Sequence, residues 1–217
     1  MTDAITSYFE TLADYSERLL DRLPIQLRPQ SIREVMGVLQ PALEDARQGS
    51  VRQLTALDRP APPRREPAPV GMNTIGILSD RLTILCVKAW NIENKQKDPA
   101  GAATLRRTHV KQIVDCMASC SPGEADLLKK VTQLTSEVDT SSWEQDYYGL
   151  LASNILLWEA QEVLYLRDIN TASCEELRDY IKWFSYGNID RNKCISACER
   201  HYWAPASAVS DAARSGG

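Results

Sequence analysis

Residues 75–94 read IGILSDRLTILCVKAWNIEN, and the spacing of their apolar side chains indicates the fold class. Apolar residues recur at alternating steps of three and four, which is the period of one face of an α-helix. The members of this face are Ile75, Leu78, Leu82, Leu85, Ala89 and Ile92. Ile77, Ile84 and Val87 add a second apolar face. A helix with two apolar faces is expected in the middle of a helical core, so we predict an all-α protein.

The helical period continues along most of the chain. Ser31 with Glu34, and Ser173 with Glu176, have the spacing of a capping box, which marks the start of a helix. Besides the helix that contains residues 75–94, the predicted helices span residues 3–22, 31–47, 50–57, 104–120, 123–137, 142–167 and 173–203. Residues 99–101, Pro-Ala-Gly, are expected to turn the chain.

A proline-rich segment interrupts this pattern. Residues 58–69 contain five prolines and no large apolar side chain, which is typical of an extended spacer. A docking peptide for an SH3-type domain is the alternative interpretation. The predicted parts of the chain are N-terminal helices that form a hairpin (1–57), a proline-rich linker (58–72), a repeated helical-hairpin core (73–203) and a disordered tail (204–217).

The core contains an internal repeat. Residues 86–94, CVKAWNIEN, align with residues 154–162, NILLWEAQE, so that Trp90 lies over Trp158. The helix that follows each segment ends in Cys-x-x-x-Cys, at residues 116–120 and 194–198. Each half is therefore predicted to be a helical hairpin, and two such hairpins would pack as a pseudo-symmetric four-helix core.

Parts of these segments resemble an uncharacterised all-helical family of bacteria. In that family an Asn-x-x-(Leu/Ile)-Trp helix is followed by an Arg-Asn helix, as in residues 154–158 and 188–192 of this chain. Residues 82–93 are similar as well. Members of the family lie among genes for surface polysaccharides. The resemblance thus implies a helical fold and a carbohydrate-related role, but no particular activity.

The charge balance and the hydropathy exclude some classes of protein. The formal net charge is -4 and the pI is about 5.3, whereas nucleic-acid-binding proteins usually carry a basic face. The first twenty residues do not have the pattern of a secretory signal, and no stretch approaches the ~18 apolar residues of a transmembrane helix. We expect a cytoplasmic protein without a cofactor. Its expected partner is a second copy of the chain or another protein, with a small-molecule ligand as a further option.

Polar and aromatic side chains share faces of the core helices. Residues 142–167 carry such a face, formed by Tyr147, Leu151, Asn154, Trp158, Gln161 and Tyr165. The last helix carries Ile181, Phe184, Asn188, Arg191 and Ile195 on one face. Apolar walls with a few polar groups are typical of ligand pockets. The candidate ligand-binding residues are Trp90, Glu93, Asn154, Trp158, Gln161, Asn188 and Arg191.

Arg191 is the one cation in this set. It could pair with Glu93 or Glu162, or its planar guanidinium could bind an anionic ligand. The alternative is that these residues form a buried polar network that fixes the register of the helices.

The cysteines suggest a second kind of site. Cys194, Cys198 and His201 share one helical face, and His109 shares another with Cys116 and Cys120. Thiolate and imidazole ligands suit zinc or copper(I), and a cross-link between the two Cys-x-x-x-Cys helices is a further alternative. Because free cysteine is also common in helical cores, we predict no metal and keep these residues only as candidates.

The sequence contains no motif of a common enzyme class. It lacks the Glu-x-x-His of di-iron bundles, the glycine-rich phosphate-binding motifs and the nucleophile elbow. Whether the protein is an enzyme stays open. We predict a non-enzymatic interaction or scaffold protein that self-associates through apolar helix faces. The alternatives are a protein that binds or processes a small molecule, in a carbohydrate-related role, and a zinc or copper site.

Overall fold

A computed structural model of the chain describes residues 2–25, 31–66, 73–123 and 142–204. Every regular element in these residues is helical, so the all-α prediction is confirmed. The α-helices are α1 (Thr2–Leu20), α2 (Ile32–Thr55), α3 (Ile75–Asn94), α4 (Pro99–Leu105), α5 (Lys111–Ser119), α6 (Trp143–Leu166) and α7 (Cys174–Trp203). A π-helical turn, Arg106–Val110, joins α4 to α5, and a 3-10 turn, Ile169–Thr171, precedes α7. The predicted helix at 123–137 and most of the predicted tail lie outside the described residues.

Hydroxyl side chains define the starts of four helices. Each accepts a hydrogen bond from the backbone N–H three residues later, which satisfies a donor that has no partner inside the helix. These N-caps are Ser31, Thr74, Ser142 and Ser173. At α7 the Glu176 carboxylate also accepts from the Ser173 N–H, at 2.9 Å, so the predicted capping box is complete.

Two predicted helix boundaries are wrong. α2 is one helix rather than two, because its buried side continues past residue 47, through Val35, Leu39, Leu43, Ser50 and Leu54. The segment at residues 99–101 begins α4 instead of turning the chain. Asp98 caps this helix by accepting the Gly101 N–H at 2.8 Å, and Pro99 fits the first turn because its missing N–H would have no helical partner.

The helices pack around one continuous core. α6 and α7 form an antiparallel pair, in which Leu157 packs against Gly187 and Cys194 packs against Gly149. α3 packs on both of these helices and also on α4 and α5. α1 packs on α3 and α5, whereas α2 packs mainly on α6. Buried side chains of α1, α2, α3, α5, α6 and α7 all belong to the same apolar cluster.

Buried hydrogen bonds join the first two helices to α6. Trp143 Nε1 donates to Tyr8 Oη at 2.8 Å, and the hydroxyls of Ser16 and Tyr147 are 2.9 Å apart. The Tyr148 hydroxyl donates to the backbone carbonyl of Leu43 in α2. Because these groups are buried, each would cost stability if it lost its partner.

The described part of the predicted linker lies against the core. It has no regular secondary structure, and two arginines attach it to the carboxyl ends of helices. Arg59 donates to the Tyr202 carbonyl at 3.3 Å, and Arg65 donates to the Cys120 carbonyl at 2.9 Å. Cationic side chains at these positions complement the unpaired carbonyls and the partial negative charge of a helix end. Residues 67–72 lie outside the described part of the chain.

The two tryptophans of the predicted repeat differ in their surroundings. Trp90 is buried, and its Nε1 donates to Asp21 Oδ1 at 2.7 Å. Trp158 is half-buried, and its buried Nε1 has no hydrogen-bond partner among the described residues. The duplication of the hairpin therefore stays a prediction.

Candidate interaction surface

Asp80 is the centre of a polar cluster where α3, α6 and α7 meet. Only 6% of this residue is exposed. Arg191 binds its carboxylate with two hydrogen bonds, from Nε at 2.7 Å and from Nη2 at 2.6 Å. Asn154 Nδ2 donates to Asp80 Oδ1 at 2.9 Å and to Thr83 Oγ1 at 2.8 Å. The cluster thus links one helix of each predicted hairpin pair to the last helix.

The hydrogen bonds to Asp80 define what the cluster can do. They raise the pKa of Arg191, since the carboxylate favours the charged guanidinium. Arg191 Nη1 lies 3.5 Å from Asn188 Oδ1, and Asn188 Nδ2 donates to the Phe184 carbonyl at 2.9 Å. Because the donors of Asn154 are engaged inside the protein, this arrangement fits a network that fixes helix register.

Three of the predicted ligand-binding residues, Asn154, Asn188 and Arg191, are therefore close together. Their acidic partner was not predicted. A signal for it exists, because Asp80 lies on the same helical face as Gly76, Thr83 and Val87, and a carboxylate on a buried face requires a cation or several donors.

The pairing predicted for Arg191 is wrong. It binds Asp80, whereas Glu93 binds Arg106 at 2.5 Å, and Arg106 also binds Glu17 at 2.5 Å. Glu93 lies about 20 Å further along α3 than Asp80, at a rise of 1.5 Å per residue. The axial offset of α3 and α7 thus selects the nearer carboxylate.

Other buried charges outside the predicted set are also paired. Lys95 Nζ lies 2.6 Å from both carboxylate oxygens of Glu159, whose pKa is raised because burial outweighs the effect of the lysine. Glu199 accepts hydrogen bonds from the Gly76 N–H at 2.9 Å, the Gly123 N–H at 2.8 Å and Trp203 Nε1 at 2.9 Å. These carboxylates tie the two ends of α3 to α6 and α7.

The candidate metal ligands Cys116, Cys120, Cys194, Cys198 and His201 are all in the described part of the chain. The four cysteines are free thiols. Burial raises the pKa of Cys120 and of Cys194 to about 12 and that of Cys198 further. His201 Nδ1 lies within hydrogen-bond distance of the buried Asp146 carboxylate. Among the described residues, no three histidine, cysteine or acidic side chains are grouped as a metal ion would require.

The predicted face of α6 is buried at one end and exposed at the other. Tyr147 and Leu151 are fully buried. Further along, Trp158 and Gln161 are half-buried, and Tyr165 in the last turn is 75% exposed. The face therefore extends beyond the core that buries its first half.

The face of α7 behaves in the same way. Ile195 is buried, Asn188 and Phe184 are half-buried, and Ile181 is 66% exposed. Asn154 and Arg191 show that both faces point to the side of the hairpin on which α3 lies. We call their outer part the distal face, formed by Trp158, Gln161, Tyr165, Leu177, Ile181, Phe184 and Asn188.

The path of α3 explains why the distal face is uncovered. α3 starts against α7, where Gly76 approaches the Ile195 backbone, and it meets α6 at Asn154. Its carboxyl end reaches Glu159 through Lys95. Glu159 lies on a different side of α6 from Asn154, since five residues turn a helix by about 140° beyond a full turn. α3 therefore crosses α6 obliquely and moves away from the first half of α7.

The opposite side of the hairpin end is closed by the start of α2. Arg33 of α2 binds Glu175 at 2.7 Å and Asp179 at 2.8 Å, and Arg167 binds Glu176 at 3.0 Å. The charges that line the cleft between these three helices are thus paired within the molecule.

Comparisons with known proteins give no family assignment. None of the described helices is long and apolar enough to cross a membrane. No protein-family model matches the chain, and neither a curated protein nor a solved structure shows significant similarity to it.

Proposed function

We propose that this chain is a non-enzymatic interaction protein that self-associates through the distal face. The observation that carries the proposal is the exposure of Ile181 and Tyr165, which continue faces that are buried elsewhere on the same helices. Apolar side chains in such a continuous arrangement mark interaction surfaces, whereas single exposed apolar residues do not. The protein is expected in the cytoplasm.

A second copy of the chain is a suitable occupant of this surface. Two hairpins that each present one apolar face can bury both faces by forming a four-helix arrangement with two-fold symmetry. The distal face measures roughly 20 Å by 20 Å, from a rise of 1.5 Å per residue and helix spacings of 8–10 Å. This is at the small end of specific interfaces, so we expect a dimer that dissociates in the micromolar range.

We also propose that the hairpin was duplicated, as the sequence predicts. The packing of the first two helices supports this proposal. α1 packs on α3 and α5, and α2 packs on α6, so each predicted hairpin carries one additional helix. The N-terminal helices would then belong to the two halves separately.

The small-molecule alternative has less support. Asn154 and Arg191 already bind Asp80, so an anionic ligand would have to displace a buried carboxylate. The carbohydrate-related role implied by the resemblance and the zinc or copper site stay predictions.

Light scattering over a range of concentrations tests self-association. The mass of the wild-type chain should rise from 24.3 kDa toward twice that value as concentration increases. Ile181→Asp places a charge at the centre of the face in both copies, so we expect dimerisation to weaken by at least about 100-fold. The substitution should not unfold the monomer, because Ile181 is largely exposed.

Tyr186→Asp is the matched control. Tyr186 is also a large apolar residue of α7, 44% exposed, but it lies on the opposite side of the helix from the distal face. This variant should dimerise like the wild type. A wild-type mass that stays at 24.3 kDa throughout, or an Ile181→Asp variant that dimerises normally, would contradict the proposal.

A further inference from the structure

The two edges of the distal face carry opposite charges. On the α7 edge, Arg178 and Lys182 are exposed and form one surface with Leu177 and Ile181. On the α6 edge, the half-buried Glu162 lies one helical turn from both Trp158 and Tyr165. An apolar surface between a basic edge and an acidic edge can recognise itself.

These edge charges differ from their neighbours in having no ionic partner. Within the described part of the chain, neither Arg178 nor Lys182 nor Glu162 forms an ion pair. By contrast, Glu175 and Asp179, on the side of α7 that faces α2, both bind Arg33. The unpaired charges are thus confined to the edges of the exposed apolar surface.

The packing of α6 on α7 places the opposite charges at the same height along the hairpin. Leu157 contacts Gly187 in this antiparallel pair. Five residues further along α6 is Glu162, and five residues back along α7 is Lys182. Because both helices rise by about 1.5 Å per residue, Glu162 and Lys182 lie level with each other on opposite edges.

We infer that two copies pack with α6 of one on α7 of the other, so that Glu162 of each copy pairs with Lys182 of the second copy. This inference rests on the proposed self-association and defines its geometry. A two-fold axis parallel to the helices keeps each residue at its own height while exchanging the edges, which brings these level charges together twice. Arg178 lies one turn from Lys182 and adds to the same basic edge.

The alternative two-fold axis, perpendicular to the helices, is disfavoured by charge. It would place α7 on α7, with Arg178 and Lys182 of one copy against the same residues of the other. Like charges at an interface edge oppose binding, whereas exposed opposite charges add little affinity but set orientation. The edges therefore select one arrangement of a dimer whose affinity comes from the apolar face.

Charge reversal tests this arrangement. Glu162→Lys gives a copy with two basic edges and Lys182→Glu gives a copy with two acidic residues facing each other in the dimer. Each variant alone should dimerise about tenfold more weakly than the wild type at low salt. The weakening should shrink at high salt because these charges are exposed to ions.

An equimolar mixture of the two variants provides the decisive comparison. In a mixed dimer both edges are again complementary, so sedimentation equilibrium should show association close to the wild-type strength. Circular dichroism confirms that each variant is folded. If the wild type dimerises but both variants and their mixture match it, the arrangement is wrong and self-association stands. A Lys182→Glu dimer tighter than the wild type would also overturn the arrangement, and a monomeric wild type would overturn both proposals.

Discussion

Asp80 shows how one residue can hold three helices in register. Its carboxylate is buried, and it is stabilised by two hydrogen bonds from Arg191 and one from Asn154. A buried ion pair contributes little compared with apolar packing, but a buried charge that has lost its partner is strongly unfavourable. The cluster therefore penalises any sliding of α3 relative to α6 and α7.

Asp80→Ala should destabilise the protein by about 2–4 kcal/mol, because Arg191 and Asn154 lose their acceptor in a mostly buried site. This range is lower than for a fully buried pair, since the Arg191 side chain is 27% exposed. Denaturant unfolding measures the change. Asp45→Ala, at an exposed position of α2, is the control and should have an effect within about 0.5 kcal/mol. Adding Arg191→Met to Asp80→Ala should recover part of the loss, and a cost no larger than that of Asp45→Ala would exclude the proposed role of Asp80.

Residue positions were easier to predict than residue partners. The helical period placed Asn154, Asn188 and Arg191 on inward faces, and the structure brings them together. Which carboxylate faces Arg191 depends on how far α3 is shifted along α7, and no local pattern in the sequence encodes that shift. The same reason explains why the pairs Lys95–Glu159 and Asp146–His201 were not predicted.

At the scale of the element, the close approach of α3 to α7 determines how the core is closed. A Cβ atom at Gly76 would lie 2.2 Å from the backbone oxygen of Ile195, so only glycine permits this contact. The neighbouring N–H is bound by Glu199, which fixes the first turn of α3 against the last turns of α7.

Gly76→Ala should therefore destabilise the protein, since the overlap is with backbone that cannot rotate away. We expect a loss of about 1–3 kcal/mol, as for other overpacked sites, measured by thermal or denaturant unfolding. Gly49→Ala is the matched control, because Gly49 is also inside a helix and nothing lies within 4 Å of an added Cβ. That variant should be stabilised by about 0.5–1 kcal/mol. Equal effects of the two substitutions would show that α3 and α7 are not in such close contact.

Helix starts were predicted better than helix breaks. Ser31, Ser142 and Ser173 follow from local capping chemistry, which acts within a few residues. The predicted interruption of α2 near Gly49 failed because tertiary packing of Ser50 and Leu54 continues the helix. Glycine weakens a helix by only about 1 kcal/mol, which such burial exceeds.

For the whole molecule, the distribution of covered and uncovered faces is the main result. The sequence predicted the apolar and polar faces of α6 and α7 but treated them as inward along their whole length. Their outer halves are exposed because α3 crosses α6 obliquely, and a crossing angle depends on side-chain packing between helices rather than on the period of either one. The self-association predicted from apolar faces thus acquires a location, at the end of the α6–α7 hairpin.

Hydrogen–deuterium exchange at low and high protein concentration tests that location most directly. If a second copy covers the distal face, amide exchange at high concentration should slow in residues 158–166 and 174–190, because burial in the dimer suppresses local opening. Exchange in α1 and α5 should not change with concentration. Equal exchange of the α6–α7 hairpin at all concentrations, or slowing confined to other helices, would contradict the account.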